Sequence, residues 1–532
     1  MDLSAWFLTP SERDNPWTVL DTRHGPDGPA WTEGNAVRPH VHGVAYFPRL
    51  AEVVRELQRG DLLCFTDWRG DPDERLTGEP GSEVGRMFSA AARRGVLVKG
   101  LLWRSHLDGL AFSADENRHL GSDVNESGGE VLLDQRVRPF GSHHQKLVVA
   151  RGAAGDVAFA GGIDLCHARN DDDAHDGDPQ GLAMSPEYGP NPPWHDVQLE
   201  LRGPVVGDLE AVFRERWEDP APLDNRLRMA VERRLIKGID TEASELPPQT
   251  PDPAPAGSCA VQVLRTYPAR LPGYPFARRG ERSVAAAYRK ALRRVTQLIY
   301  LEDQYLWSTE VALLFAEALR RQPELRLVGV VPRFSDQSGA ISRPPNLVGR
   351  QDALDLVREA GGDRVSVFDL ENAAGTPVYV HAKVCVMDDV WSSVGSDNLN
   401  LRSWTHDSEL SCAVLDDIRD EREPRDPAGL GDGARRFARD LRLQLWREHL
   451  DLTGSDASLV DPASGIAQLR ASAAALDAWH DGGQVGPRPP GRLREHRADR
   501  LPAITRAWAR PLYHLVVDPD GRPRRRLRKS WT

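Results

Sequence analysis

The chain has 532 residues, 40% apolar and 28% charged, with a formal net charge of −11. That length exceeds what one hydrophobic core organises and implies two or more globular domains. The acidic balance argues against a general nucleic-acid binder, and no run of about eighteen apolar residues offers a membrane-spanning helix. Cys64, Cys166, Cys259, Cys385 and Cys412 are scattered without metal-ligand spacing and read as buried free thiols. The amino terminus, MDLSAWFLTPSERDNP, has neither the basic start nor the apolar core of a secretory signal, so a cytoplasmic location is expected.

Residues 1–40 are rich in Pro, Gly, Asp and Arg and read as an irregular lead-in. Residues 41–244 alternate helix and strand. Leu50, Val53, Val54 and Leu57 form a helical stripe over Pro48–Arg59. DLLCFTDW is a strand, Ser82–Arg94 a helix, and Val96–Trp103 an apolar run suited to a central parallel strand. A long polar stretch leads to a strand at His144, followed by the strand HDVQLELRG and a helix from Gly203. The proline density of 245–258 precludes helix and central strand and leaves an extended linker. Residues 259–450 repeat the order: strand VQVLRTYP, helix Glu281–Arg294, strand QLIYLEDQYL, helix Glu310–Arg320, strand LRLVGVVP, then a longer loop and a strand at His381. Leu62 and Leu298 stand at nearly equal distances ahead of His144 and His381. The predicted fold class is α/β: two fused halves, each a mainly parallel sheet covered by helices, related by a pseudo-twofold axis with one active site between them. Residues 451–532 form an extension with a basic tail. There Arg522, Arg524, Arg525, Arg526, Arg528, Lys529 and Trp531 suit an anionic membrane surface.

The repeat carries chemistry. In Tyr379–Leu410, His381 and Lys383 lie two apart on an alternating strand, so both project from one face. Asp388 marks the following turn, and Gly395–Asn398 (GSDN) is a polar turn able to hold an anion. Ser142–Leu165 repeats the pattern with His144 and Lys146, and its Gly161-Gly162 turn ends in Asp164 where the other copy has Asn398. With both strands on one cleft, one imidazole can attack phosphorus to make a phosphohistidine while the other protonates the departing oxygen and then activates water or an alcohol. Lys146, Lys383, Asn398 and Asp164 are the expected phosphate-binding residues. The lysines do the charge-neutralising task a metal does elsewhere, so neither a metal nor another cofactor is expected. Asp388 is grouped with the catalytic residues, although hydrogen bonding at the hairpin turn is its better-supported role. The acidic loop Asn170–Asp178 lacks EF-hand spacing and reads as a solvated loop bordering the cleft.

HAKVCVMDD followed by GSDN resembles the H-x-K-x4-D motif of the phospholipase D superfamily, and HHQK followed by GGIDLC resembles its amino-terminal motif. PWHDV (Pro193–Val197), IYLEDQY (Ile299–Tyr305) and DSEL (Asp407–Leu410) are similar to eukaryotic-type signatures of that family. The first copy departs from the pattern: Arg151 stands where Asp388 stands in the second, with Asp156, across a longer turn, as a substitute. The resemblance implies hydrolysis of a glycerophospholipid at a membrane surface to phosphatidic acid and a head-group alcohol, with head-group exchange as a related outcome. It implies that Asp196 and Glu409 orient the imidazoles, that His144 is the nucleophile and that His381 is the acid/base. A monomer, peripheral at the membrane and without a C2, PX or PH domain ahead of the catalytic unit, is expected. The alternatives are a cardiolipin synthase-like phosphatidyltransferase, whose usual membrane helices are not seen; a nuclease or DNA-adduct phosphodiesterase, disfavoured by net acidity; and an inactive phospholipid-binding member, motivated by Arg151.

Overall fold

Alternating apolar residues become strands whose two faces serve different cores. Leu147 and Val149 beside His144 enter one apolar cluster while Val148 and Ala150 enter another. Val384 and Val386 beside His381 join that first cluster, and Cys385 and Met387 a third. The computed structural model describes residues 2–25, 28–105, 114–223, 243–306, 308–336, 343–454, 457–497 and 500–523.

The first half contributes β1 (Thr32–Val41), β2 (Leu62–Asp67), β3 (Leu97–Trp103), β4 (Glu130–Asp134), β5 (Leu147–Arg151), β6 (Val157–Gly161), β7 (Trp194–His195) and β8 (Val197–Arg202). The second contributes β9 (Cys259–Tyr267), β10 (Glu281–Arg282), β11 (Leu298–Asp303), β12 (Arg326–Val330), β13 (Val365–Leu370), β14 (Tyr379–Val380), β15 (Lys383–Met387), β16 (Trp391–Gly395), β17 (Glu409–Asp416) and β18 (Leu493–Glu495). The main sheet runs β18-β13-β12-β11-β15-β16-β17-β9-β1-β8-β6-β5-β2-β3-β4. The protein is α/β, with a large central sheet flanked by helices. The cluster on one face crosses both halves under the helices Val205–Trp217, Arg436–His449 and Pro462–Asp481, and each half has its own cluster on the other.

Among the described strands of the main sheet, parallel pairing is confined to β2–β3–β4 and β11–β12–β13. The expected mainly parallel sheets thus describe the outer strands of each half. The inner strands are antiparallel because each motif strand returns through a hairpin, β5–β6 or β15–β16, which only antiparallel neighbours permit. The lead-in also needs correction. Residues 32–41 are not irregular but form β1, which pairs with β8 on one side and β9 on the other and makes the two sheets one. Asn35 secures this junction by donating its side-chain amide to the carbonyls of Thr32 and Cys259.

The third helix–strand unit of each half was hidden in the polar stretch and the longer loop. The helix Ala114–Asn125 buries only Leu120 and Val124 as large apolar side chains, too thin a stripe to read. The helix Arg343–Gly361 opens on Pro344 and Pro345, which a first turn tolerates but which resemble a loop. The stretch 245–258 has no regular structure, yet it is docked: the Arg151 guanidinium donates to the carbonyls of Thr250 (3.2 Å) and Pro251 (2.6 Å). Asp156 does not take over a supporting role across the sheet. It accepts from Gly152 N within its own turn and faces Arg151 at 3.5 Å.

The carboxy-terminal extension adds β18 to the sheet edge beside β13. Arg522 is committed to Asp520 and Glu310, and the remaining tail cations, with Trp531, lie outside the described residues. All five cysteines are buried and free. Among the described residues no helix is long and apolar enough to cross a membrane.

Asp389, in the β15–β16 turn, anchors the helix Arg436–His449. It accepts from Arg439 Nε at 3.0 Å and from Arg442 Nε and Nη2 at 2.6 and 2.7 Å, and all three residues are fully buried. Asp389→Ala leaves the buried Arg442 without a carboxylate, while Arg439 keeps Asp420 at 3.1 Å; the stranded charge costs about 3–5 kcal/mol. Urea unfolding should show a loss of that size; a loss below about 1 kcal/mol would mean that Arg442 finds water instead.

Candidate active site

Each motif strand begins by pairing with the other half. His143 bridges Ser408, and His144 N donates to Ser408 O at 2.9 Å. Two-residue β14 runs parallel to β7, and the backbone N–H groups of His381 and Ala382 both donate to His195 O. These bridges set the imidazoles beside carboxylates of the opposite half. Counted along the chain, Asp196 follows His144 and Glu409 follows His381; in space the acids are exchanged. His144 Nδ1 lies 2.9 Å from Glu409 Oε2, and His381 Nδ1 lies 2.7 Å from Asp196 Oδ2.

The tautomer of His144 follows from a second contact. Ser396 O, 3.0 Å from Nδ1, can only accept, so Nδ1 carries the proton and Nε2 keeps its lone pair. Burial, reinforced by Lys146 and Lys383, holds His144 well below the usual imidazole range; burial, Lys383 and Arg169 do the same for His381. Both shifts favour the neutral ring. Burial raises Glu409 to about 7 against the hydrogen bond donated by Ser396 Oγ (2.5 Å), and burial also raises Asp196. A Cβ at Gly162, the position matching Ser396, would lie 2.1 Å from Asp196 Oδ1, so no side chain fits there.

Lys146 and Lys383 are buried and each donates to the carbonyl of its own motif histidine. Lys146 Nζ also sits 3.0 Å from Asp164 Oδ1, and although burial opposes it, this ammonium keeps Asp164 ionised. Asp164 is thus paired with Lys146. Asn398 is buried at the matching position, and its side-chain oxygen has no hydrogen-bond partner. Asp388 lies apart from the histidines, at the far end of β15. It accepts from the backbone N–H groups of Thr296, Gln297 and Leu298 and ties the hairpin turn to β11.

Three residues at this site escaped sequence reasoning. Asp67 ends β2 and accepts from Leu165 N; Asp303 ends β11 and accepts from Leu399 N in the same way. Both hold the turns that follow the motif hairpins, and aligning FTD with LED by the internal repeat would have found them. Arg169 stacks over Trp194 at 3.7 Å and reaches Asp164 at 3.6 Å, adding a third cation that has no copy in the second half to reveal it. The acidic loop also differs from expectation. Asp171, His175 and Asp178 are buried, and His175 meets His42, His195 and Glu448 with ligand atoms all within 4.8 Å of one another. A histidine–carboxylate cluster therefore exists that linear spacing concealed.

A family model described as Phospholipase D matches residues 77–312, which include the His144 motif. The match spans less than half of the chain and takes in one of the two histidine–lysine strands. The chain is similar to phospholipase D alpha 2 of Arabidopsis thaliana, 24% identical over 508 residues covering 72% of this chain and 60% of the relative. It is likewise similar to phospholipase D alpha 1 of Brassica oleracea var. capitata, 25% identical over 515 residues covering 73% and 60%. The chain thus spans three fifths of the length of these eukaryotic-type relatives. Among solved structures, a phosphatidylserine synthase of Haemophilus influenzae Rd KW20 aligns with a TM-score of 0.49 at 13% identity, covering 71% of this chain and 82% of that one.

Burial lowers Lys383 to about 8, with Asp196 opposing the shift. The ammonium is charged below that pH and neutral above it, so affinity for an anionic substrate should fall as pH rises through 8. Arginine stays protonated far above this range. The alkaline limb of kcat/KM should therefore move upward in Lys383→Arg; an unmoved limb would assign it to another group.

Proposed function

We propose that the chain is a phosphodiesterase of the phospholipase D type, acting on glycerophospholipids to give phosphatidic acid and a head-group alcohol. The observation that carries this reading is the pair of imidazoles, each held at Nδ1 by a carboxylate of the opposite half and each followed two residues on by a buried lysine. The relatives' names supply the lipid substrate, and the histidine–lysine pairs supply the chemistry.

His144 Nε2 attacks phosphorus; its side chain is the more open of the two, 15% exposed against 6% for His381. The P–N bond forms as the P–O bond to the head group breaks, and His381 Nε2 gives that oxygen its proton. A bound phosphodiester places negative charge beside His381 and favours the protonated ring that this step requires. His381, then neutral, takes a proton from water, whose oxygen attacks phosphorus and releases His144. A primary alcohol in place of water gives head-group exchange through the same steps. Lys146, Lys383 and Arg169 balance the charge building on the non-bridging oxygens.

The test is choline release from a short-chain phosphatidylcholine, followed by acid-free quenching and peptide mass analysis. His144→Ala and His381→Ala should each lower turnover roughly 10³-fold or more, as for groups acting as a unit. The wild-type chain should carry a phosphoryl adduct on His144. Near-normal turnover by either variant, or faster cleavage of single-stranded DNA than of lipid, would overturn the reading.

A further inference from the structure

Behind the active site, three imidazoles surround one carboxylate oxygen. Glu448 Oε1 lies 3.1 Å from His42 Nε2, 3.3 Å from His175 Nε2 and 3.1 Å from His195 Nδ1. The ring centroids stand 4.8 to 5.7 Å apart, all three histidines are buried, and the Glu448 side chain is 10% exposed. Four ligands at about 2.0–2.1 Å around a tetrahedral ion stand about 3.3 Å from one another. The three nitrogen–oxygen distances, three of the six edges, match that length, and all four ligand atoms lie within 4.8 Å of one another.

Hydrogen bonding alone does not account for the cluster. His42 Nδ1 has no hydrogen-bond partner, although the residue is 3% exposed, and Nε2 meets only Glu448 Oε1. His195 faces Glu448 through Nδ1 and Glu302 Oε2 through Nε2 at 2.7 Å, so with nothing between, the ring must carry both protons. An ion on Nδ1 leaves a neutral imidazole whose Nε2–H donates to Glu302, the outer-carboxylate arrangement usual for metal-bound histidine. At His175 an outer carboxylate stands nearby but farther off, Asp171 Oδ2 lying 3.6 Å from Nδ1. The backbone is also held out of its ordinary range at two of these ligands, with φ of 68° at His42 and 57° at His175. Such conformations persist where the surroundings over-determine them and gather at functional sites.

We propose that His42, His175, His195 and Glu448 form a closed site for a divalent transition-metal ion of zinc's preferences. Nitrogen-rich, four-coordinate ligation selects such an ion over calcium or magnesium, which take oxygen ligands. With four protein ligands the site has no open position, and its role is structural. It joins the start of the helix Gly43–Glu56, the acidic loop, β7 and the helix Arg436–His449, three elements of the first half to one of the second. Asp196, which holds His381, directly follows the ligand His195, so the ion also steadies that acid.

The full-length chain is stripped with a chelator, equilibrated with zinc chloride or cobalt chloride, desalted and assayed for metal by mass spectrometry. The expected result is about one ion per chain, cobalt absorption of tetrahedral intensity and a higher thermal midpoint with zinc. Glu448→Gln and His175→Ala should lose the stoichiometric ion, Glu302→Gln should weaken it about 10–100-fold, and His480→Ala, outside the cluster, should retain it. A wild-type chain with no stoichiometric ion, no tetrahedral cobalt spectrum and an unmoved midpoint would overturn the proposal. So would undiminished binding by the Glu448 and His175 variants; if those do not fold, the wild-type cobalt spectrum decides.

Discussion

An imidazole that is to attack phosphorus has to be neutral, correctly protonated and held in place, and burial alone supplies only the first of these. In this protein the other two come from across the molecule. Glu409 and Asp196 reach over to His144 and His381, so neither half contains a complete histidine–carboxylate pair. The short parallel bridges at Ser408 and His195 make this exchange possible by aligning each motif strand with the acid-bearing segment of the other half. A carboxylate withdrawn from water is expensive unless it is matched, and each match requires the other half to be docked. Assembly of the halves and assembly of the site are therefore the same event.

The rest of the fold serves that docking. Through β1, the sheet continues from one half to the other and fixes their relative position at backbone precision. The helix Arg436–His449 then crosses from the second half to reach His42, His175 and His195 of the first. Asp389 secures the beginning of that helix and Glu448 lies near its end, so its two termini are bound by different chemistry.

The motif residues were legible because they obey local rules. His144 with Lys146, and His381 with Lys383, sit on strands whose period-2 pattern puts both side chains on one face. The duplicated register also exposed the two-half architecture. What escaped was whatever depended on distance in space. Glu409 and Asp196 were recognisable as acids, but no spacing says that they serve the histidine of the other half. His42, His175, His195 and Glu448 come from four separated segments and show no linear ligand pattern. The first-half turn misled for a different reason: Arg151 reads as a lost aspartate, while in the structure it has gained a separate task, gripping the inter-half segment at Thr250 and Pro251.

The departure from symmetry at Gly162 and Ser396 gives the site a direction. Glu409 receives a hydroxyl from Ser396 and shares His144 with a backbone carbonyl, whereas Asp196 faces bare glycine and holds His381 through a single contact. Two copies of one strand pattern thus meet the cleft through unlike supports, and the difference between them lies in one missing side chain.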